Sequence, residues 1–200
     1  MTKPKPTFYV FHGEDEFTRS ETLADFKRRL GPPSMVDLNT TVLDGKRVTL
    51  ADLRHTCDAI PFLAERRLVI VEGLLSTLRP RKGQELSSAK KRFLSDLAEY
   101  LRHLPPTTRL VFVERSALPS SHPIVKVARG DERGYVKHFE RPDARALPRW
   151  IKKRLKEYGG RIEPRAADRL AAVVGADLRL LDQEILKLVT YTNSERPITE

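Results

Sequence analysis

The sequence has a single cysteine, no long apolar run and no apolar segment near its start, and each shortage excludes a class of protein. Cys57 stands alone among 200 residues, which excludes an internal disulfide and any metal site built from several cysteines, so we predict that it is a buried apolar side chain. The apolar runs span only a few residues, far short of the ~20 that a membrane helix needs. The opening residues read MTKPKP and contain no signal core. We therefore expect a cytoplasmic protein without a membrane partner.

The chain does have a globular composition with an excess of positive charge. Hydrophobic residues make up 40% of it and recur in periodic segments, which excludes a disordered protein. The formal net charge of +10 favours an acidic partner such as nucleic acid, although many basic proteins bind none.

Short apolar runs alternate with helical patterns over residues 1–140. We predict strands at 8–11, 35–43, 67–73, 109–114 and 135–139. The predicted helices run from 18 to about 30, from Leu50 to Ile60 with Thr49 as the N-cap, and over 93–104. Apolar strands separated by helices imply a parallel sheet that is covered on both faces, so residues 1–140 are predicted to form a three-layer α/β domain.

Residues 141–200 show only helical periodicity, with short breaks at glycines. Apolar residues recur at helical spacing in three segments: Leu147, Trp150, Ile151, Leu155 and Tyr158; Ala166, Leu170, Val173 and Val174; Leu178, Leu181, Ile185, Leu188 and Val189. A small three-helix domain that follows a P-loop-type core is typical of the lid of an AAA+ module.

A strand, a glycine turn and a helix follow one another as in a nucleotide-binding P-loop, G-x-x-x-x-G-K-[ST], but the residues do not suit phosphate. Gly13 fits the first glycine and Ser20 the final hydroxyl, whereas Thr18 replaces the second glycine and Arg19 replaces the lysine. Residues 14–16 are all acidic, and like charges about 4 Å apart repel by about 4 kcal/mol near a protein surface. We therefore predict a degenerate P-loop that binds no nucleotide, and no cofactor.

The other candidate catalytic residues form no recognisable site. Glu72 and Glu114 end apolar strands at the edge where parallel sheets bind ligands, but without a P-loop lysine they are predicted to be solvated strand ends or helix contacts. The histidines lie apart in sequence with no pair at the spacing of metal ligands, so no metal site is predicted; they are His12, His55, His103, His122 and His138.

Segments spread over nearly the whole chain resemble the delta subunit of the bacterial DNA polymerase III clamp loader. They are YVFHGED at 9–15, PFLAERRLVIV at 61–71, LVFVE at 110–114, LPRWI at 147–151 and GADLRLLDQEILKL at 175–188. The resemblance implies an AAA+-like fold and a non-catalytic accessory subunit of a DNA-directed DNA polymerase, which is a nucleotidyltransferase. The family also has a helical collar domain that is missing here, so the chain is expected to be the N-terminal portion of a longer subunit.

The same resemblance gives a role to Phe62 and Leu63. They match an exposed hydrophobic pair that delta subunits wedge into a pocket on the ring-shaped sliding clamp. The residues alone leave a second interpretation open, in which both side chains enter the core as a packing corner. The implied partners are the sliding clamp, the other clamp-loader subunits and primed DNA at the replication fork, with no small-molecule substrate.

Basic residues cluster at 79–82, 90–92 and 152–156. Because the relatives act on primed DNA, these clusters supply candidates for salt-sensitive contacts with phosphates, namely Lys90, Lys91, Arg92, Lys152 and Lys153. A solubilising surface is the alternative interpretation. Two other functions also stay open: a P-loop ATPase with an atypical phosphate loop, and a generic basic protein that binds nucleic acid.

Overall fold

The computed structural model describes residues 5–80 and 84–200, and the pattern of contacts divides the chain into two compact units. The first unit is Met1–Glu140 and the second is Arg141–Glu200. No helix of the described residues is both long and apolar enough to cross a membrane.

The first unit is built on a sheet whose neighbouring strands all pair in parallel. Along the chain, the strands are β1 Phe8–His12, β2 Thr40–Asp44, β3 Arg67–Glu72, β4 Thr108–Glu114 and β5 Gly134–His138. Across the sheet, their order is β2-β3-β4-β1-β5. Phe8 and Val69 both lie opposite Leu110, so apolar residues line up across the three central strands.

Helices cover both faces of this sheet. They are α1 Glu16–Arg28, α2 Pro33–Asn39, α3 Leu50–Asp58, α4 Leu74–Thr77, α5 Ser88–Arg102 and α6 Pro123–Gly130. On β4, Leu110 and Phe112 join the core formed with α3 to α6, whereas Val111 and Val113 join a second core against α1. This alternation is the period of two expected of a strand that is buried on both sides. The three-layer α/β prediction is confirmed.

The predicted strand at 35–43 is wrong in its first half. Residues Pro33–Asn39 form α2, and only Thr40–Asp44 form a strand. A short apolar run does not distinguish a strand from a helical turn by periodicity. Pro33 occupies the first turn of α2, where its missing N–H costs no hydrogen bond.

The predicted helix after Thr49 is shorter than expected. Thr49 and Asp52 form the capping box that the spacing predicted. Cys57 is fully buried, as predicted, but the helix ends at Asp58 and Ile60 lies beyond it with 88% of its surface exposed.

The second unit contains the three predicted helices, α7 Leu147–Glu157, α8 Pro164–Val174 and α9 Leu178–Thr192. Their buried residues include Ile151, Leu155 and Ile185. The predicted apolar face of α8 is partly wrong, because alanines fill its buried side and Val173 is 72% exposed.

Candidate functional site

The loop between β1 and α1 stands where a P-loop would stand, but its backbone amides donate hydrogen bonds to carbonyl and carboxylate groups of this chain. The amide of Gly13 donates to the carbonyl of Glu114 at 3.2 Å, and the amide of Asp15 donates to the carbonyl of Phe139 at 3.0 Å. The amide of Thr18 donates to Oδ1 of Asp15 at 2.9 Å, so this buried carboxylate caps α1. The helix N-terminus that would receive a phosphate therefore already holds an anion of the chain.

Gly13 has a structural role in this loop. Its φ of +123° lies in the range that favours glycine, and a Cβ there would come within 2.3 Å of the carbonyl oxygen of Phe139. The first glycine of the P-loop pattern is thus needed for the close approach of the chain that leaves β5.

Arg19 and Ser20 both turn toward the backbone. The Arg19 side chain is buried, and its Nη1 donates to the carbonyl of Gly13 at 2.6 Å. Burial lowers the pKa of Arg19, while the neighbouring Glu16 and Asp15 oppose that shift. The Ser20 hydroxyl donates to the carbonyl of Phe17 at 2.8 Å. Both residues line the adjacent cleft, but each donates a hydrogen bond to the backbone of its own loop or helix.

A cleft of about 870 Å³ lies beside this loop, at the edge where the strands end. Such an edge is the usual ligand site of a parallel sheet. Its lining has four exposed carboxylates and two exposed cations; they are Glu14, Glu16, Asp44 and Glu72, and Lys46 and Arg115. An anion would meet repulsion here, and the cleft therefore does not suit a nucleoside triphosphate.

Glu114 contacts a helix, which is one of the two roles predicted for it; the other was a solvated strand end. The side chain is fully buried, and its carboxylate accepts hydrogen bonds from the amides of Leu75 at 2.7 Å and Ser76 at 3.1 Å. Burial raises the pKa of Glu114, and these hydrogen bonds oppose the rise. Glu114 thus joins the end of β4 to the start of α4, whereas Glu72 is an exposed strand end.

The fold brings together two histidines that are far apart in sequence. His12 and His138 end the neighbouring strands β1 and β5, and their rings stack with centroids 4.8 Å apart. Nδ1 of His12 accepts from the amide of Leu118 at 3.2 Å. Burial, with help from His138 and Arg129, lowers the pKa of His12 to about 4. Among the described residues no group of three or more histidine, cysteine or acidic side chains could hold a metal ion.

A second candidate site is an exposed apolar segment, defined here as residues 60–63, between α3 and β3. Ile60 is 88% exposed, Phe62 is 56% exposed and Leu63 is 75% exposed. The interpretation in which Phe62 and Leu63 both enter the core is therefore wrong. Leu38 is also 60% exposed, and the residue after it, Asn39, is hydrogen-bonded to Phe62 of this segment.

Asn39 fixes the backbone of the exposed apolar segment. Its buried side chain accepts from the amide of Phe62 at 2.7 Å and donates to the carbonyl of Phe62 at 2.9 Å. Nδ2 also donates to the carbonyl of Met35, and Nη1 of Arg67 donates to the carbonyl of Ala59 at 3.1 Å. Sequence reasoning missed Asn39, because a lone asparagine at the end of a helix carries no signal of a partner 23 residues away.

Leu63 has a backbone conformation that is uncommon for its type. Its φ of +48° lies in the left-handed region, which costs a residue with a side chain roughly 1–2 kcal/mol relative to glycine. This conformation coincides with a side chain that is 75% exposed.

The basic residues at the start of α5 are exposed, but each has a local partner. Nζ of Lys90 donates to the carbonyl of Thr77 at 2.6 Å, Lys91 pairs with Glu85 at 2.7 Å, and Arg92 approaches Asp96 at 3.8 Å. In the neighbouring predicted cluster at 79–82, residues 81 and 82 lie outside the described residues. Surface pairs of this kind are weak, so these cations stay available to a stronger anion.

The basic cluster at 152–156 divides into surface and interior residues. Lys152 and Lys153 are exposed on α7. Arg154 instead turns inward, where it pairs with Asp182 of α9 and donates to the hydroxyl of Tyr158. Arg154 therefore joins α7 to α9 and is not part of a DNA-facing surface.

Comparison with known proteins gives consistent matches. The family model of the DNA polymerase III delta subunit matches residues 9–131. The DNA polymerase III subunit delta of Bacillus subtilis (strain 168) is 22% identical over 192 residues, which are 96% of this chain and 54% of that protein.

One solved structure has the same fold. The Bacillus subtilis DNA clamp loader delta protein (YqeN) superposes with a TM-score of 0.80 at 22% identity, over 98% of this chain and 56% of that one. The Thermotoga maritima RuvB Holliday junction branch migration motor reaches a TM-score of only 0.44 at 16% identity, over 96% of this chain and 57% of that one. The first match confirms the fold class. The chain spans about half the length of both Bacillus relatives. Because the family model covers more than half of the sequence, the chain belongs to the DNA polymerase III delta subunit family.

Proposed function

We propose that this chain is the clamp-binding part of a non-catalytic clamp-loader subunit, which grips a sliding clamp and helps to open it for loading onto primed DNA. The observation that carries the proposal is the exposed apolar segment, in which Phe62 and Leu63 project from a backbone that Asn39 holds. Family membership supplies the context, since one relative is described as a clamp loader delta protein.

The geometry of the segment supports a docking role. Two adjacent large apolar side chains lie mostly in solvent, and burying such a side chain fully contributes about 1.5–3 kcal/mol. Apolar anchors that enter a preformed pocket are typical hot spots of interfaces. Because hydrogen bonds already order the backbone of Phe62, binding would cost less conformational entropy than it would for a free loop.

The degenerate P-loop supports a subunit that neither binds nor hydrolyses nucleotide. Its amides and Arg19 are engaged within the protein, and the adjacent cleft is lined with carboxylates. In this proposal other clamp-loader subunits supply nucleotide hydrolysis. Clamp opening is then a population shift, in which Phe62 and Leu63 favour the open ring only if they bind it better than the closed one.

Contact with DNA is a further part of this proposal. Lys90, Lys91 and Arg92 on α5, together with Lys152 and Lys153 on α7, are exposed cations that would attract phosphates independently of sequence. The assembled loader would act at the replication fork, in association with the nucleoid.

The test is the affinity of a bacterial sliding clamp for this chain, measured by calorimetry. Phe62→Ala combined with Leu63→Ala should weaken binding at least about 100-fold, which corresponds to ~3 kcal/mol. The matched control is Val173→Ala combined with Tyr191→Ala, which truncates two equally exposed side chains in the second unit and should bind normally.

The melting temperature of each double variant completes the test. Truncating exposed side chains should leave it nearly unchanged. Clamp binding that survives the Phe62 and Leu63 substitutions, or that is absent from the unmodified chain, would refute the proposal. A chain that binds primed DNA but no clamp would point instead to the generic nucleic-acid-binding alternative.

A further inference from the structure

A smaller cleft, of about 320 Å³, opens at the other edge of the sheet, where the strands begin. Tyr9 of β1, Leu68 of β3 and Arg109 of β4 form its floor, and Phe26 of α1 forms a wall. The remaining lining residues are Lys5, Pro6, Arg29, Leu30 and Arg66. This volume lies at the lower end of the roughly 300–1,000 Å³ that small-molecule sites occupy.

The charge in this cleft is of one sign. Among the described residues that line it, the charged side chains are Lys5, Arg29, Arg66 and Arg109, and none is a carboxylate. The cleft beside the degenerate P-loop, in contrast, mixes acids with cations. Four cations around one concave surface create a positive potential that attracts anions.

Arg109 is the most constrained of these cations. Only 8% of its surface is exposed, and its Nη1 donates to the carbonyls of Pro106 and Thr108, each at 2.8 Å. Within residues 5–80 and 84–200, the structure gives no hydrogen bond from its Nε or Nη2 and no ion pair to its guanidinium. A guanidinium carries five N–H donors. The backbone therefore anchors Arg109 through Nη1, and the N–H groups of Nε and Nη2 remain to bind a ligand.

The neighbours of Arg109 add to its need for an anion. Burial lowers the pKa of Arg109, and the positive charge of Arg66 lowers it further. A buried cation beside a second cation is unfavourable unless a negative group joins them. Contacts position Tyr9 in the floor of the cleft: its hydroxyl donates to the carbonyl of Pro6 at 2.9 Å, and its ring meets the Phe26 ring of the wall edge-on at 4.8 Å.

We propose that this cleft binds a phosphate group, carried by a small ester or by a nucleic-acid strand, with Arg66 and Arg109 on the phosphate oxygens. Planar guanidinium groups match phosphate oxygens through paired hydrogen bonds. Two of them balance the double charge of a phosphate monoester and exceed the single charge of a phosphodiester. The organic part of the ligand packs against Tyr9, Phe26 and Leu30. This proposal rests neither on the exposed apolar segment nor on the degenerate P-loop.

The test uses three probes at constant ionic strength: inorganic phosphate, thymidine monophosphate and a short oligothymidylate. Binding is followed by the NMR signal of the Arg109 Nε–H and by calorimetry. We expect all three probes to shift this signal saturably at millimolar concentration or below. Arg29→Ala with Arg66→Ala should weaken binding at least about tenfold, and Arg109→Lys should do the same because it keeps the charge but loses the fork.

The matched control is Lys46→Ala with Arg115→Ala, which removes the same charge from the cleft at the opposite edge of the sheet. It should leave binding unchanged. Equal affinities for the nucleotide and the oligothymidylate identify a small ester as the ligand, whereas at least about tenfold tighter binding of the oligothymidylate identifies a strand. No saturable shift with any probe, or equal losses in the two double variants, would overturn the proposal.

Discussion

Replacing Asn39 with alanine is expected to release the exposed apolar segment while the rest of the first unit stays folded. The buried Asn39 amide makes three hydrogen bonds, two to the backbone of Phe62 and one to the carbonyl of Met35. Each typically contributes a net 0.5–1.5 kcal/mol, so the three together predict a loss of about 1.5–4.5 kcal/mol in the free energy of unfolding. At roughly 4 °C per kcal/mol, the melting temperature should fall by about 6–18 °C.

Hydrogen exchange is the decisive assay, because it reports on the segment itself. The amide of Phe62 donates to Oδ1 of Asn39 at 2.7 Å, and its exchange should become at least about tenfold faster in the variant. Thr56→Ala is the matched control, since it removes one exposed hydrogen bond, to the carbonyl of Asp52 within α3, and leaves the hydrogen bonds of Asn39 and Arg67 in place. If the Phe62 amide exchanges at the same rate in the Asn39 variant and the unmodified chain, Asn39 does not order the segment.

Three further predictions concern the ends of the strands. Millimolar ATP with Mg²⁺ should leave the melting temperature unchanged, whereas a bound ligand at 100 times its Kd would stabilise the fold by about 2.7 kcal/mol. A calorimetric binding isotherm for ATP would contradict this prediction. The folded-state pKa of His12 is about 4 against an ordinary 6.5, so its contribution to stability is complete above pH 6.5 and is lost as the pH falls toward 4. This loss amounts to at most about 3 kcal/mol. In the variant His12→Asn, which keeps an acceptor for the Leu118 amide, the free energy of unfolding measured in urea should fall less steeply between pH 6.5 and pH 4. Glu114→Ala should cost about 2–4 kcal/mol in the same assay, because two amides lose their acceptor, whereas truncating the exposed Glu72 should change stability by less than about 0.5 kcal/mol.

Periodicity made the layered fold predictable from the sequence. Residues 110–113 are all apolar, as expected of a strand that is buried on both faces. After residue 140, apolar residues recur at helical spacing in three segments. Thr49 and Asp52 predicted a capping box because its two members lie within one helical turn. The strand predicted at 35–43 failed where the run was too short to show a period.

The sequence by itself therefore determined the fold class and the family resemblance, and it predicted that residues 13–20 do not suit phosphate, because each depends on patterns of neighbouring residues. The exposure of Phe62 and Leu63 was decided only by the tertiary structure: an adjacent apolar pair has no periodicity, and its environment depends on what Asn39 and Arg67 hold in place. The stacked His12 and His138 rings and the cationic cleft around Arg109 have the same origin. Parallel strands bring together the ends of segments that lie far apart in sequence, and no local pattern records which ends will meet.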